Sequence, residues 1–218
     1  MRIVIALLLL GLGSIAIEAQ APQSPDALAR ALQKRYDGIR DFSADFVQTY
    51  RGKVLRTETR EQGTVAIKKP GLMRWVYVKP ERKEFVSDGR KIYSYIPDDR
   101  QVIVADVPAQ DAATTPAMFL AGKGEIVRDF TSVFEKSSEP GTVALKLTPR
   151  TPQPEYEWLV VGMDPATHML RGLLWTDTQG GTNTIVFDRL KENVQPPDSL
   201  FEFKVPSGVQ IVGDVSAR

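Results

Sequence analysis

The chain has 218 residues, with 28 basic against 27 acidic side chains, one histidine and no cysteine. A charge so close to neutral argues against a nucleic-acid partner, which needs a basic excess to meet phosphates. The missing cysteines exclude disulfides, thiolate metal sites, a cysteine nucleophile and lipidation of an N-terminal cysteine.

Residues 1–21 carry one early cation, Arg2, an apolar run from Ile3 to Leu12, and small residues at Ser14, Ala16, Ala19 and Ala21. This is the layout of a secretory signal peptide, and the run is too short to span a bilayer as an uncleaved anchor. Pro22 disfavours a cut after Ala21, so residues 1–19 are expected to be the leader and 20–218 the mature chain. Losing the leader removes one base, Arg2, and one acid, Glu18, so the net charge stays at +1. The remaining length suits a single domain.

Ser24 is an N-cap candidate, Pro25 fits the first helical position, and Leu28, Leu32, Tyr36 and Ile39 recur at helical spacing. Phe42, Ala44, Phe46 and Tyr50 then alternate with polar residues as in a half-buried strand. The 51–53 stretch reads as a loop tip, and 56–66 as a strand wet on one face. From Lys68 to Pro97 the pattern is strand, turn, strand, turn, strand. Met73, Trp75 and Tyr77 put large rings on one face, and Ser87-Asp88-Gly89 supplies a tight turn. Prolines 70, 80 and 97 punctuate the ladder because they cannot donate to it.

Residues 101–107 read as a further strand and 108–114 as a loop. Thr115 is expected to cap one or two helical turns through Pro116-Ala117-Met118-Phe119-Leu120, ended by Gly122. Three consecutive apolar side chains leave no wet stripe, so this helix must be buried. Strands follow at about 130–136, 142–149, 156–163, 169–177, 182–189 and 201–205. Hairpin connections dominate, so the expected fold is α+β: an incomplete antiparallel β-barrel of about eleven strands with a helical lid. Strand 158–163 is apolar on both faces, which calls for cover on the second, and the two helices are the expected cover. Laid into a curved sheet they would leave a pocket lined by Phe46, Met73, Trp75, Tyr77, Phe85 and Trp175. A solid aromatic core is the competing reading.

The run Lys68-Lys69-Pro70 leading to Arg74-Trp75-x-Tyr77, then Ser87-Asp88-Gly89 with Tyr93-x-Tyr95, then Thr115-Pro116-Ala117-Met118-Phe119-Leu120 resembles the periplasmic outer-membrane lipoprotein carriers of the LolA family. Leu147-Thr148-Pro149, Asp177 through Gly180-Gly181 to Thr184, and Phe201-x-Phe203-x-x-Pro206-x-Gly208-Val209 extend the resemblance over roughly residues 25 to 212. The resemblance implies a monomeric periplasmic carrier without cofactor or metal. It would take lipoproteins from an inner-membrane ABC-type lipoprotein-releasing complex, shield their acyl chains, and deliver them to an outer-membrane receptor. It also implies an acyl-chain site at Tyr36, Phe46, Met73, Trp75, Tyr77, Phe85, Met118, Phe119, Leu120 and Trp175. The family often has arginine before the proline aligned with Pro70, tying the sheet to backbone carbonyls of the lid. Here Lys69 occupies that position, so a looser lid latch is expected.

Enzymatic parts are missing from the sequence. His168 follows Asp164-Pro165-Ala166-Thr167 in an expected turn, and Asp98-Asp99 reads as a hairpin cap rather than a catalytic carboxylate pair. Two other classes stay open. One is a lipid-binding sensor or regulatory domain with the same half-barrel, which would ordinarily carry a further C-terminal domain. The other is a lipid-active hydrolase, which would depend on His168 or a carboxylate pair.

Overall fold

The computed structural model of the chain describes residues 24–54, 56–107, 115–137 and 139–213. The expected leader at 1–19 and the loop at 108–114 lie outside these residues.

The Ser24 backbone is extended and its hydroxyl accepts the Ala27 N–H at 3.1 Å, while Pro25 has no N–H to satisfy. Helix α1 (Pro25–Asp37) therefore starts where the sequence predicts. Leu28, Ala29 and Leu32 form its buried stripe. After the helix, β1 (Asp41–Arg51) is followed by five strands in a meander: β2 (Glu58–Lys68), β3 (Leu72–Lys79), β4 (Lys83–Asp88), β5 (Lys91–Ile96) and β6 (Gln101–Asp106). The two short helices α2 (Pro116–Leu120) and α3 (Ile126–Asp129) lead into β7 (Phe130–Glu135), β8 (Val143–Pro149), β9 (Trp158–Met163), β10 (Leu170–Thr176) and β11 (Thr182–Glu192). A 3-10 turn (Asp198–Phe201) precedes β12 (Gln210–Gly213).

All twelve strands join one sheet in the order β12-β6-β5-β4-β3-β2-β1-β11-β10-β9-β8-β7. Each junction is antiparallel except β12 with β6, which is parallel. The two meanders are joined through β1 and β11, where Phe46 sits opposite Phe187. Strands β12 and β7 form free edges, so the sheet is open and does not close into a barrel.

The helix-bearing face carries the core. Phe42, Phe46, Val65, Ile67, Met73 and Trp75 are all buried on it together with α1 and α2. Phe46 lies across from Gly63 in β2, where a Cβ would sit 2.1 Å from the Val76 carbonyl oxygen and 2.9 Å from the Phe46 ring. Only glycine leaves that ring room to lie flat on the sheet. The β4–β5 turn forms as its residues dictate: Gly89 has φ +87°, and Asp88 Oδ1 accepts the N–H groups of Arg90 and Lys91.

The helices lie on one face of the sheet, and the far side of β3 to β5 is covered by residues 198–203, part of which was expected to be a strand. Phe201 is buried there, Phe203 stacks on Tyr93 with centroids 5.2 Å apart, and Arg74 donates to the Leu200 carbonyl at 2.8 Å. Residues 201–205 consequently do not form the strand expected of them; hydrophobic anchoring replaces ladder pairing. Eleven of the expected strands form, β12 at Gln210–Gly213 takes the place of the one expected at 201–205, and α3 was not expected at all.

Candidate functional site

Between the sheet and α2 lies a cavity of about 490 Å³. Its wall takes Met73, Trp75 and Tyr77 from β3, Phe85 from β4, Leu173 and Trp175 from β10, and Ile185 from β11. The alternation of β3 places its three large side chains on one face, and the register sets Phe85 opposite Trp75. The roof is α2, which contributes Pro116, Ala117, Met118 and Leu120. Thr115 caps this helix by accepting the Met118 N–H at 3.0 Å, as its sequence predicts.

Seven of the ten side chains expected at the site line this cavity: Met73, Trp75, Tyr77, Phe85, Met118, Leu120 and Trp175. Phe46 lies beneath it, packed edge-on between Trp75 at 5.1 Å and Tyr77 at 4.9 Å. Tyr36 and Phe119 face away from it and stack on each other, ring planes 6° apart. They border a second, nearly filled space under α1 with Leu32, Phe42 and Leu120. The apolar run 118–120 is thus divided: Met118 faces the large cavity, Phe119 seats the roof on α1, and Leu120 reaches both.

Sequence reasoning missed the polar members of the wall, Gln48, Ser87, Ser94, Thr115 and Glu155. Most of them are matched within the protein. The Tyr77 hydroxyl donates to Gln48 Oε1 at 2.7 Å, and Ser87 Oγ donates to the Gly71 carbonyl at 2.8 Å. Burial pushes the Tyr77 phenol well above its ordinary range, with Glu61 adding to the effect. Glu155 stands at the rim, where partial desolvation pushes its carboxyl up. Only the alternation of Gln48 with Phe46 along β1 could have flagged Gln48 in advance.

The tip of the β2–β3 hairpin grips both helices. Lys69 Nζ donates to the Tyr36 carbonyl in the last turn of α1 and lies 3.3 Å from the Tyr36 ring centroid. The Lys69 backbone N–H donates to the Arg40 carbonyl at 2.8 Å, and that of Gly71 donates to the Ala121 carbonyl at 3.0 Å. The turn after α2 passes over the Lys69 stem, where a Cβ on Gly122 would sit 2.6 Å from Lys69 Cδ. The Tyr36 hydroxyl closes the circuit by donating to the carbonyls of Phe119, at 3.1 Å, and Leu120. Burial pulls the Lys69 amine down to about 8, although Asp37 and Glu192 act in the other direction.

The remaining candidates for chemistry are scattered. His168 sits in the β9–β10 turn at φ +56°, its N–H donating to the Asp164 carbonyl, and Asp98 and Asp99 are exposed in the β5–β6 turn. No group of three or more metal-ligating side chains occurs among the described residues. No helix among them is long and apolar enough to cross a membrane.

These features define a protein whose twelve-stranded open sheet is organised around an apolar cavity under a small helical roof. Residues 37–204 match the sequence model of the family described as outer membrane lipoprotein carrier protein LolA. The chain is 32% identical over 201 residues to an outer-membrane lipoprotein carrier protein of Chromobacterium violaceum, covering 91% of this chain and 93% of that one. It is 29% identical over 196 residues to one of Methylococcus capsulatus, covering 90% and 91%. A solved structure of an uncharacterised conserved protein from Thermus thermophilus shares the fold at 10% identity, with a TM-score of 0.53 over 85% of this chain and 99% of that one. The chain belongs to the LolA family. As a member of it the protein is a lipoprotein carrier, not an enzyme.

Proposed function

We propose that the cavity between β3, β4, β10 and α2 is where acyl chains of the carried lipoprotein are sheltered. In this reading Met73, Trp75, Tyr77, Phe85, Met118, Leu120 and Trp175 meet the chains, Phe46 supports the floor, and Tyr36 and Phe119 seat the roof. The observation that carries the reading is the cavity itself. At roughly 30 Å³ for each water-sized methylene, 490 Å³ is room for about one long acyl chain with the roof in place. A larger anchor therefore requires α1 and α2 to lift from the sheet, which exposes the apolar side chains they now bury.

The energetics favour such a design. Each methylene taken from water contributes about 0.8 kcal/mol, so a multiply acylated protein does not leave a bilayer unaided. A carrier whose own roof competes for the same surface binds strongly without becoming a trap. Lys69 acts as the latch in this scheme, holding α1 through the Tyr36 carbonyl. The carrier works as a monomer in the periplasm, reached through the leader at residues 1–19. It collects cargo from an inner-membrane ABC-type releasing complex and passes it to an outer-membrane receptor; the family supports these roles. An acylated fluorescent probe should bind and be displaced by lipoprotein. A probe that binds equally well to Met118→Asp and to the unaltered protein would place the site elsewhere.

A further inference from the structure

Trp75, one of the residues lining the cavity, carries a buried side-chain donor without a partner, which an acceptor in the cavity reaches only once the surrounding side chains part. The Trp75 side chain is 5% exposed, and its indole Nε1–H finds no acceptor among the described residues. An indole has a single N–H and accepts nothing, so this donor needs an acceptor that the described residues do not supply. Its neighbours offer no relief. Phe46 and Phe187 flank the ring at centroid distances of 5.1 Å and 6.5 Å, and Val65 and Phe85 face it across the ladder. The nearby acceptor Gln48 Oε1 is engaged by the Tyr77 hydroxyl, and Gln48 Nε2 donates to Asn183 Oδ1 at 3.3 Å. A phenylalanine would pack at this position with the same aromatic contacts and no orphan. Buried donors left unmatched are uncommon in folded proteins, so this one calls for an acceptor from outside the chain, a water or a ligand, and a ligand carbonyl would supply it at the acyl-chain site.

We infer that Trp75 is a specificity-determining residue whose indole N–H donates to an acyl ester carbonyl at the head of a bound chain. The inference rests on the cavity being the acyl-chain site. An ester suits it better than other acceptors. Its carbonyl brings an acceptor and no donor, whereas an amide carbonyl brings an N–H that would need an acceptor of its own. A carboxylate would bring a full charge into a wall of aromatic and aliphatic side chains. The donor would also fix how deep the chain sits: the carbonyl stops at β3 while the hydrocarbon runs on beneath α2 toward Leu173 and Ile185. Ester recognition of this kind separates an acylated anchor from a bare apolar peptide segment, which the apolar contacts alone would not do.

The test compares two synthetic lipopeptides that differ only in linkage, one with two ester-linked palmitoyl chains and one with two ether-linked hexadecyl chains. Both compete against the same fluorescent acyl probe. The unaltered protein is expected to bind the diester about tenfold more tightly, the size of one net buried hydrogen bond. Trp75→Phe keeps the ring and removes the N–H, and should bring the two affinities within about twofold by weakening the diester. If that variant fails to fold, site-specific 3-benzothienylalanine at position 75 replaces N–H by sulfur at nearly constant shape and makes the same comparison. Equal affinities in the unaltered protein, or a preference that survives the loss of the N–H, overturns the role of Trp75 and leaves the cavity reading standing. Failure of both lipopeptides to displace the probe from the unaltered protein overturns the cavity reading and this inference with it.

Discussion

Tyr36→Phe removes one oxygen from the joint between the two helices and nothing else. The hydroxyl donates to the carbonyls of Phe119 and Leu120, and the first of these also accepts the Gly122 N–H at 3.1 Å. The variant therefore leaves chiefly the Leu120 carbonyl unmatched, under a ring whose stacking on Phe119 is preserved. An unsatisfied buried acceptor costs about 1–3 kcal/mol; taking the lower half, because water reaches a helix end more easily than a core, roof opening should rise roughly 5–30-fold. Hydrogen exchange reads this directly. The amides of Ala121, Gly122 and Lys123, which donate to Ala117, Phe119 and Met118, should exchange faster by that factor. Amides of β2 and β3 in the same sample should not change. Unaltered exchange at 121–123 would refute the role given to the hydroxyl, and equal acceleration in β2 and β3 would show global weakening in place of a roof joint.

Lys69→Arg offers a rigid fork of donors where the ammonium meets one carbonyl, so it should slow transfer of bound lipoprotein to the receptor, while Lys69→Leu should speed exchange in α1. Unchanged transfer and exchange in both would reduce Lys69 to a surface charge. Burial holds the Lys69 amine at about 8 against its ordinary 10.5, so between those values the unfolded or open state binds more protons than the closed one. The closed fold should gain stability as pH rises through that window, and the Tm difference between the unaltered protein and Lys69→Leu should grow with it; a flat or falling difference contradicts the sign. Phe119→Asp sets a carboxylate between Tyr36 and Phe130 at a position only 6% exposed, and should lower stability by at least the roughly 3 kcal/mol of an aromatic truncation, measured by urea unfolding.

The meander and α2 were legible because their signals are local: alternation along β3, the cap at Thr115, and three adjacent apolar side chains with no wet stripe. The residues 198–203 were not. Phe201-x-Phe203 alternates as a strand does, and only the three-dimensional position of β3 to β5 shows that these rings are anchors on the far face of the sheet. That Met73, Trp75 and Tyr77 line one cavity was legible because large side chains on one strand face must share whatever lies over that face. The division of Tyr36 and Phe119 from the main cavity was not, since it depends on the rotation of a five-residue helix set by contacts with α1. The matched polar wall was equally hidden, because Gln48 and Tyr77 meet only through the register of β1, β2 and β3.

The three tryptophans allow the acyl-chain site to be located by fluorescence. Trp75 and Trp175 line the cavity, whereas Trp158 lies on the opposite face of the sheet beneath the Lys146 ammonium, 4.5 Å from its ring. Bromine quenches indole emission only at close range, so a lipopeptide brominated midway along its acyl chains should quench a variant retaining Trp175 alone and leave one retaining Trp158 alone unchanged. Quenching of Trp158 with Trp175 unaffected would contradict the claim that the chains enter the cavity under α2.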